Sequence, residues 1–367
     1  LYHLIFVVKI KNIMKVCIVG NGLVSIALAK ALVNKGIYVD LFSGQKINKI
    51  DKSRTIGISK TNIDFFNKNI LNISKFLWEI KKIEVFSDNL KNEKLLNFKT
   101  DSKNLFSIFK NADLYNYLFV NLKKSIFFKL LGNKSLISLK KYNLIINCDT
   151  TSKISKKYFY KKILKNYHSH ALTTIISHKK VLSNNTAVQI FTKKGPIAFL
   201  PISENKTSVV YSVRNSKKID LENLIKKYNP KYEIIRIDPV SSSELKSINL
   251  RKYHFENILA FGDMLHMLHP HAGQGFNMTI RDIKSLLELI DFKIDHGLQF
   301  DSSICLEFEK KTRHKNYLFS SGIDFVYEYF NFESKLNSSI LSKTVQFLGR
   351  NKNANRFFTK LADNGLI

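Results

Sequence analysis

Apolar residues in this chain gather into short uninterrupted runs separated by polar, Lys-rich stretches. Val16-Cys17-Ile18-Val19 is one such run, closed by Gly20, and reads as a buried strand over Lys15–Gly20. The stretch Val24–Asn34 then places Ile26, Leu28, Ala29, Leu32 and Val33 at helical spacing. Gly36 ends that helix, and Tyr38–Phe42 is a second strand, so the order is that of a βαβ unit. Further buried strands are predicted at Tyr142–Cys148 and Ile258–Phe261, the latter followed by a Gly-rich turn and a helix from Asn277 to Ile290. Residues 160–215 are rich in Thr, Val, Ile and Tyr, with turns at Lys194-Gly195-Pro196 and around Glu204-Asn205, and predict antiparallel strands. The last sixty or so residues have helical periodicity. Within them, Ser334–Leu348 puts Leu336, Ile340, Leu341, Val345 and Leu348 on one face, with Lys335, Lys343 and Arg350 around it. The pattern predicts an α/β fold: one nucleotide-binding sheet assembled from three separated segments, an inserted β-rich unit and a helical tail.

Composition narrows the class. The chain has 367 residues, enough to bury a large core, and its 44% hydrophobic and 24% charged residues are those of a folded protein. The formal charge of +30 is unusual. It is mostly Lys, spread over the whole length, and accompanied by abundant Ile and Asn, as an AT-rich coding sequence would give. No zinc finger, basic helix or RNA-stacking motif accompanies it, so a nucleic-acid partner is not expected. Cys17, Cys148 and Cys305 are odd in number and far apart, which suits a reducing cytoplasm better than a disulfide framework. The apolar Leu4-Ile5-Phe6-Val7-Val8 is too short to span a bilayer. Met14 opens the first strand, so residues 1–13 read as a start-site extension.

Three segments carry chemistry. Gly20-Asn21-Gly22-Leu23-Val24-Ser25 lies between a strand and a helix. Gly20 permits the tight turn, Gly22 lets backbone approach a pyrophosphate, and the helix N-terminus offers N–H groups and partial positive charge. Ser25 stands at the third glycine position. Ser43 stands where a ribose-binding acid is expected, and Asp40, three positions earlier, should face the other side of its strand. The second segment runs Gly262-Asp263-Met264-Leu265-His266-Met267-Leu268-His269-Pro270-His271-Ala272-Gly273-Gln274-Gly275-Phe276-Asn277 and closes with Arg281-Asp282. Its three histidines superficially suit a metal. No Cys or carboxylate other than Asp263 stands at complementary spacing, so no metal is expected. The third segment is Thr186–Pro201, with Gly195-Pro196 inside it.

The second segment closely resembles the GD…H…P…GQG…N signature of the class A flavoprotein monooxygenases, and the third resembles the TA..RF…GP.A.LP signature of their ubiquinone-biosynthesis hydroxylases. Tyr167-His168-Ser169-His170-Ala171-Leu172 and Lys110-Asn111-Ala112-Asp113-Leu114 are similar to further family segments, so the likeness covers residues 14–330. It implies a glutathione-reductase-type, three-layer FAD-binding domain (14–58, 101–158 and 250–300), an inserted β-sheet substrate domain (59–100 and 159–249) and C-terminal helices (301–367). It also implies that FAD is held by Gly20, Gly22, Ser25, Ser43, Arg54, Asp149, Gly262, Asp263, Gly275, Phe276 and Asn277. On this reading Asp263 binds the ribityl chain, while Pro270, Gly273, Gln274 and Gly275 border the catalytic face of the ring and Gly195-Pro196 lines the substrate cavity. NAD(P)H would reduce the flavin, and O2 would supply the oxygen transferred to the ring of a polyprenyl phenol or quinone precursor. So insoluble a substrate implies a biosynthetic assembly or peripheral contact at the inner face of a membrane; the apolar face of Ser334–Leu348 would either join such a contact or pack on the FAD domain, as most amphipathic helices do. Cys148-Asp149-Thr150 departs from the family's ADG at its third position, in a motif associated with both FAD and NAD(P)H. Together with Ser25 and Ser43 it keeps open a flavin-binding partner that has lost catalysis. A prenyl reductase also stays open, whereas the single Trp78 excludes the W-x-W motif of flavin halogenases.

Overall fold

The computed structural model describes residues 14–43, 52–90, 93–99, 105–132, 141–214, 219–268, 274–336 and 343. In chain order the elements begin β1 (Lys15–Val19), α1 (Leu23–Asn34), β2 (Tyr38–Phe42), β3 (Thr55–Ser59), α2 (Lys60–Asn69), β4 (Trp78–Ile80), β5 (Lys82–Ser87) and β6 (Lys94–Lys99). There follow β7 (Phe106–Lys110), α3 (Asn111–Lys123), β8 (Phe128–Leu131), β9 (Leu144–Asn147), α4 (Lys153–Tyr158), β10 (Lys162–His178), β11 (Thr186–Thr192), β12 (Gly195–Pro201) and β13 (Lys206–Arg214). The chain continues with α5 (Leu221–Tyr228), β14 (Ile234–Ile237), β15 (Ser241–Leu250), β16 (His254–Phe255), β17 (Ile258–Ala260), β18 (His266–Met267), α6 (Gln274–Asp295) and α7 (Ser303–Leu336).

The apolar runs of β1, β9 and β17 are continuous because these strands are covered on both faces. They form a six-stranded sheet in the order β16-β17-β9-β1-β2-β8, parallel throughout except for the β16–β17 edge. The core on this sheet takes in Ile26, Leu28 and Leu32 of α1, Leu114 and Leu118 of α3, and Ile280, Ile283 and Leu287 of α6. Asp40 is buried in β2, as its strand position implied. It accepts a hydrogen bond from the Tyr142 hydroxyl at 2.7 Å and pairs with Lys15 at 2.9 Å.

The alternating strands build a second sheet of nine, β18-β15-β10-β13-β12-β11-β5-β6, with β14 also on β10. One of its faces carries Val188, Phe199, Val209 and Tyr211 and is closed by the amphipathic helix α5 through Leu221 and Ile225. A small sheet β3-β7-β4 completes the architecture.

Two boundaries differ from the sequence pattern. Helix α6 starts at Gln274, three residues before Asn277, and runs on to Asp295. The hairpin between β11 and β12 turns on Lys193-Lys194, and Gly195 and Pro196 are buried strand residues, because Thr192 pairs directly with Gly195. Pro270, Gly273, His269, His271 and residues 1–13 lie outside the described residues, as does most of Ser334–Leu348. Among the described residues no helix is long and apolar enough to cross a membrane.

Candidate active site

The six-stranded sheet reverses its winding at β1: the chain steps outward through β2 and β8, then returns to the other side of β1 with β9 and β17. Ligands of open parallel sheets bind beyond the carboxyl ends of the strands at such a switch point. All the predicted nucleotide positions on strand ends emerge there: Gly20 and Gly22 after β1, Ser43 after β2, Asp149 after β9, and Gly262 and Asp263 after β17. Residues some 240 positions apart in the chain thus share one crevice because parallel pairing aligns their strand ends.

The turns are tightly fitted to one another. A Cβ on Gly20 would lie 3.1 Å from Ser25 Oγ and 3.4 Å from the Asp149 nitrogen, so the glycine turn and the Cys148-Asp149-Thr150 turn are packed together at this point. Ser25, 1% exposed, fills the place of the third glycine without parting helix from sheet. Its hydroxyl lies beside the Cys148 thiol. Desolvation pushes the Cys148 thiol up to about 12, and the nearby carboxylates of Asp263 and Asp149 add to the rise. Gly262 has φ +64°, and a side chain there would meet Val24 Cγ1 at 2.8 Å, so only glycine lets the β17 turn close over the start of α1. Asn21 Nδ2 donates to Ser43 Oγ at 3.4 Å across the mouth of the turn.

Space and charge on the open side suit an anionic dinucleotide. Among the described residues, a Cβ on Gly22 meets nothing within 4 Å. The first turn of α1 has neither a side-chain cap nor an acidic residue, so its amide groups and partial positive charge are available to a phosphate. Asp263 is exposed at the crevice and able to accept from a sugar hydroxyl. Helix α6 likewise opens at Gln274-Gly275 with no acid in its first turn, and a Cβ on Gly275 meets none of the described residues. The residues present therefore fit FAD.

Other predicted positions have different work. Asn277 is 2% exposed, and its side chain is engaged by protein: Oδ1 accepts from Ser59 N at 2.8 Å and Asn62 Nδ2 at 2.9 Å, and Nδ2 donates to Gly57 O at 3.0 Å. It clamps α6 to β3 and α2. Phe276 is buried against Phe66 and Phe109, at centroid distances of 6.4 and 5.8 Å. Both residues support the crevice from behind. Asp149 Oδ1 accepts from Thr151 N at 2.8 Å and Thr151 Oγ1 at 2.7 Å, so this carboxylate is partly committed to its own turn.

Arg54 is exposed just before β3, in a segment lying on the second sheet: Ser53 Oγ is 3.3 Å from both Thr173 Oγ1 and Ser241 Oγ, and Thr55 Oγ1 donates to Ser208 Oγ at 2.8 Å. The face beneath is the one opposite α5. Across it Gln189, Ala198, Val210, Thr173 and Ser241 stand in register, all partly exposed, a floor of mixed amide, apolar and hydroxyl side chains. Sequence reading missed this row because its members are scattered over five strands and carry no motif. Gly195 and Pro196 sit buried beside it, at the start of β12.

Residues 213–292 match the family described as FAD binding domain. The chain is similar to the ubiquinone biosynthesis monooxygenase COQ6 of Schizosaccharomyces pombe, with 23% identity covering 61% of this chain and 57% of that one. It is also similar to the 3-demethoxyubiquinol 3-hydroxylase of Escherichia coli, with 27% identity covering 39% of each. The matches to these two relatives thus span from about two fifths to under three fifths of their lengths, whereas 85% of the Dictyostelium discoideum COQ6 is covered at 21% identity. In fold it is similar to p-nitrophenol 4-monooxygenase PnpA of Pseudomonas putida, with TM-score 0.77, 13% identity and coverage of 97% of this chain and 99% of that one. It is also similar to Klebsiella pneumoniae HpxO complexed with FAD and uric acid, with TM-score 0.72, 11% identity and coverage of 95% and 96%.

Proposed function

We propose that this chain, a class A flavin monooxygenase by fold and similar in sequence to the ubiquinone-biosynthesis hydroxylases, hydroxylates the aromatic ring of a polyprenylated quinone precursor using FAD, NAD(P)H and O2. One observation carries the reading. The Gly20–Gly22 turn, Ser43, Asp149 and Asp263 converge at the switch point of a parallel sheet, leaving open space and an uncapped helix N-terminus.

In this reading the first turn of α1 holds the pyrophosphate and Asp263 accepts a ribityl hydroxyl. The start of α6 sets partial positive potential beside the ring edge that gains negative charge on reduction. Bound FAD supplies the activation of O2, and the protein supplies binding, orientation and exclusion of water. Substrate lies over the floor formed by Gln189, Ala198, Val210, Thr173 and Ser241, with the hydroxyls of Ser53 and Thr55 at its border. A polyprenyl tail is insoluble in water, so delivery requires a membrane surface or a carrier assembly. The exposed Phe325 and Phe332 on α7 are apolar groups suited to such a contact.

The commitment of Asp149 Oδ1 to Thr151 favours one second reading, a flavin-binding subunit of a quinone-biosynthesis assembly that NAD(P)H does not reduce. Anaerobic mixing of the flavin-loaded protein with NADPH and with NADH, with and without a prenylated phenol, separates the two. The hydroxylase reading expects substrate-accelerated bleaching of the flavin; the subunit reading expects none.

A further inference from the structure

The flavin signature holds a buried polar pair that the reading above leaves unused. His266 Nε2 and Asp282 Oδ2 are 2.5 Å apart, with side chains 0% and 2% exposed. Asp282 Oδ1 accepts from Asn316 Nδ2 of α7 at 3.0 Å. One hydrogen bond thus ties β18 to the third turn of α6 across a sequence separation of sixteen, and the residues between carry Pro270 and the Gly273-Gln274-Gly275 run.

Asn316 also belongs to a larger pattern. Asn316, Ser320, Asp324 and Glu328 recur every fourth residue and so form one stripe along α7. Ser320 Oγ donates to Asn249 Oδ1 at 2.8 Å. Asp324 accepts from the Tyr167 hydroxyl and from Ser247 Oγ, and Glu328 pairs with Lys165 at 3.0 Å. Asn249 and Ser247 are on β15, Tyr167 and Lys165 on β10, and His266 itself pairs with Asn249 through the backbone. The stripe therefore joins the edge of the second sheet to the pair that brackets the flavin signature.

Apolar side chains of similar volume would hold a helix there at least as firmly, since a buried polar pair loses much of its attraction to desolvation. What hydrogen bonds add is a fixed distance and orientation, and reacting groups displaced by about 1 Å lose orders of magnitude in rate.

From this geometry we infer that Asp282 is a positioning residue: held by Asn316 and holding His266, it fixes the spacing between β18 and α6 and thereby the seat of the isoalloxazine ring. The inference rests on the flavin reading, and the test separates the two. Parent protein stripped of flavin is titrated with FAD, following flavin fluorescence and the visible spectrum, alongside thermal unfolding of each apoprotein. Asp282→Asn is expected to weaken FAD binding at least tenfold and to shift the bound flavin spectrum toward that of free FAD. Asn316→Ala is expected to do the same to a smaller degree, and His266→Gln, which keeps a donor, to fall between Asn316→Ala and the parent. Should Asp282→Asn fail to fold, the other two variants decide. A parent that binds no FAD refutes the flavin reading and the inference with it. A parent that binds FAD, with variants whose affinity and spectrum match it, overturns the positioning role alone, as do variants whose affinity falls only in step with apoprotein stability while the bound spectrum is unchanged.

Discussion

A methyl group on Gly195 should damage the fold far more than its size suggests. Gly195 has φ +136°, a region that L-residues rarely enter, and its ideal Cβ would lie 1.9 Å from the Ser212 carbonyl oxygen. An ordinary contact needs about 3.4 Å or more, so β13 would have to shift by roughly 1.5 Å. That strand is held on both sides, by β12 and by β10, where Ser212 pairs with Ala171. Disturbing two ladder hydrogen bonds costs about 1 kcal/mol each, and the strained backbone adds about 1–3 kcal/mol. The sum for Gly195→Ala is about 3–5 kcal/mol, a large fraction of the roughly 5–15 kcal/mol that keeps a domain folded. At roughly 2 °C per kcal/mol for a chain of this size, Tm should fall by about 6–10 °C. Trp78 reports the transition, since it is the single Trp and its Nε1 donates to Asn184 O at 2.7 Å, at the margin of the same sheet. The resemblance placed Gly195 in the substrate cavity; on the structural argument, turnover per folded molecule stays close to the parent value. A variant that melts within 2 °C of the parent (a change worth only about 1 kcal/mol) but loses turnover would refute the packing argument and return Gly195 to the cavity.

Four further outcomes follow from the site. Asp263→Ala removes one acceptor from the crevice and should weaken FAD binding by about 1–3 kcal/mol, roughly 5- to 150-fold, in fluorescence titration. Gly275→Ala should leave apoprotein Tm unchanged or slightly raised, because helix propensity favours Ala by up to about 1 kcal/mol, while FAD affinity drops; equal affinity would move Gly275 away from the flavin. Asn277→Leu should lower stability by about 3 kcal/mol in urea unfolding, since it leaves the Ser59 amide and Asn62 without their buried acceptor. Burial raises the thiols of Cys148 and Cys305 from 9.0 to about 12, and that of Cys17 further still. Each native thiol keeps its proton where an unfolded one releases it, so this contribution is complete below pH 9 and lost as pH rises toward 12; unfolding titrations over that range should show falling stability, and an increase would contradict the burial.

Elements whose logic is local were legible in the sequence. The β1–α1–β2 unit, the strands β9 and β17, and the antiparallel region around β10–β13 follow from runs, alternation and glycine turns, and the structure keeps them with small shifts at the ends. Long-range pairing was not legible. That β5 joins β11 in parallel, or that β4 pairs with β7, depends on packing between segments with no pattern in common. The same holds within the site. Gly20 and Gly262 announce themselves because only glycine suits their turns. Asn277, by contrast, lies inside a recognisable signature while its side chain faces β3 and α2, and the His266–Asp282–Asn316 group is assembled from a strand and two helices.

The most direct test of the account is a single-turnover measurement on the purified, FAD-reconstituted chain, reduced anaerobically with NADPH in the absence and presence of a prenylated electron-rich phenol and then mixed with labelled dioxygen. The account predicts one bound FAD per chain, bleaching that accelerates with the phenol present, and a product heavier by one labelled oxygen atom on its ring. A chain that takes up no FAD, or one whose reduced flavin reoxidises while the phenol stays unlabelled, contradicts it.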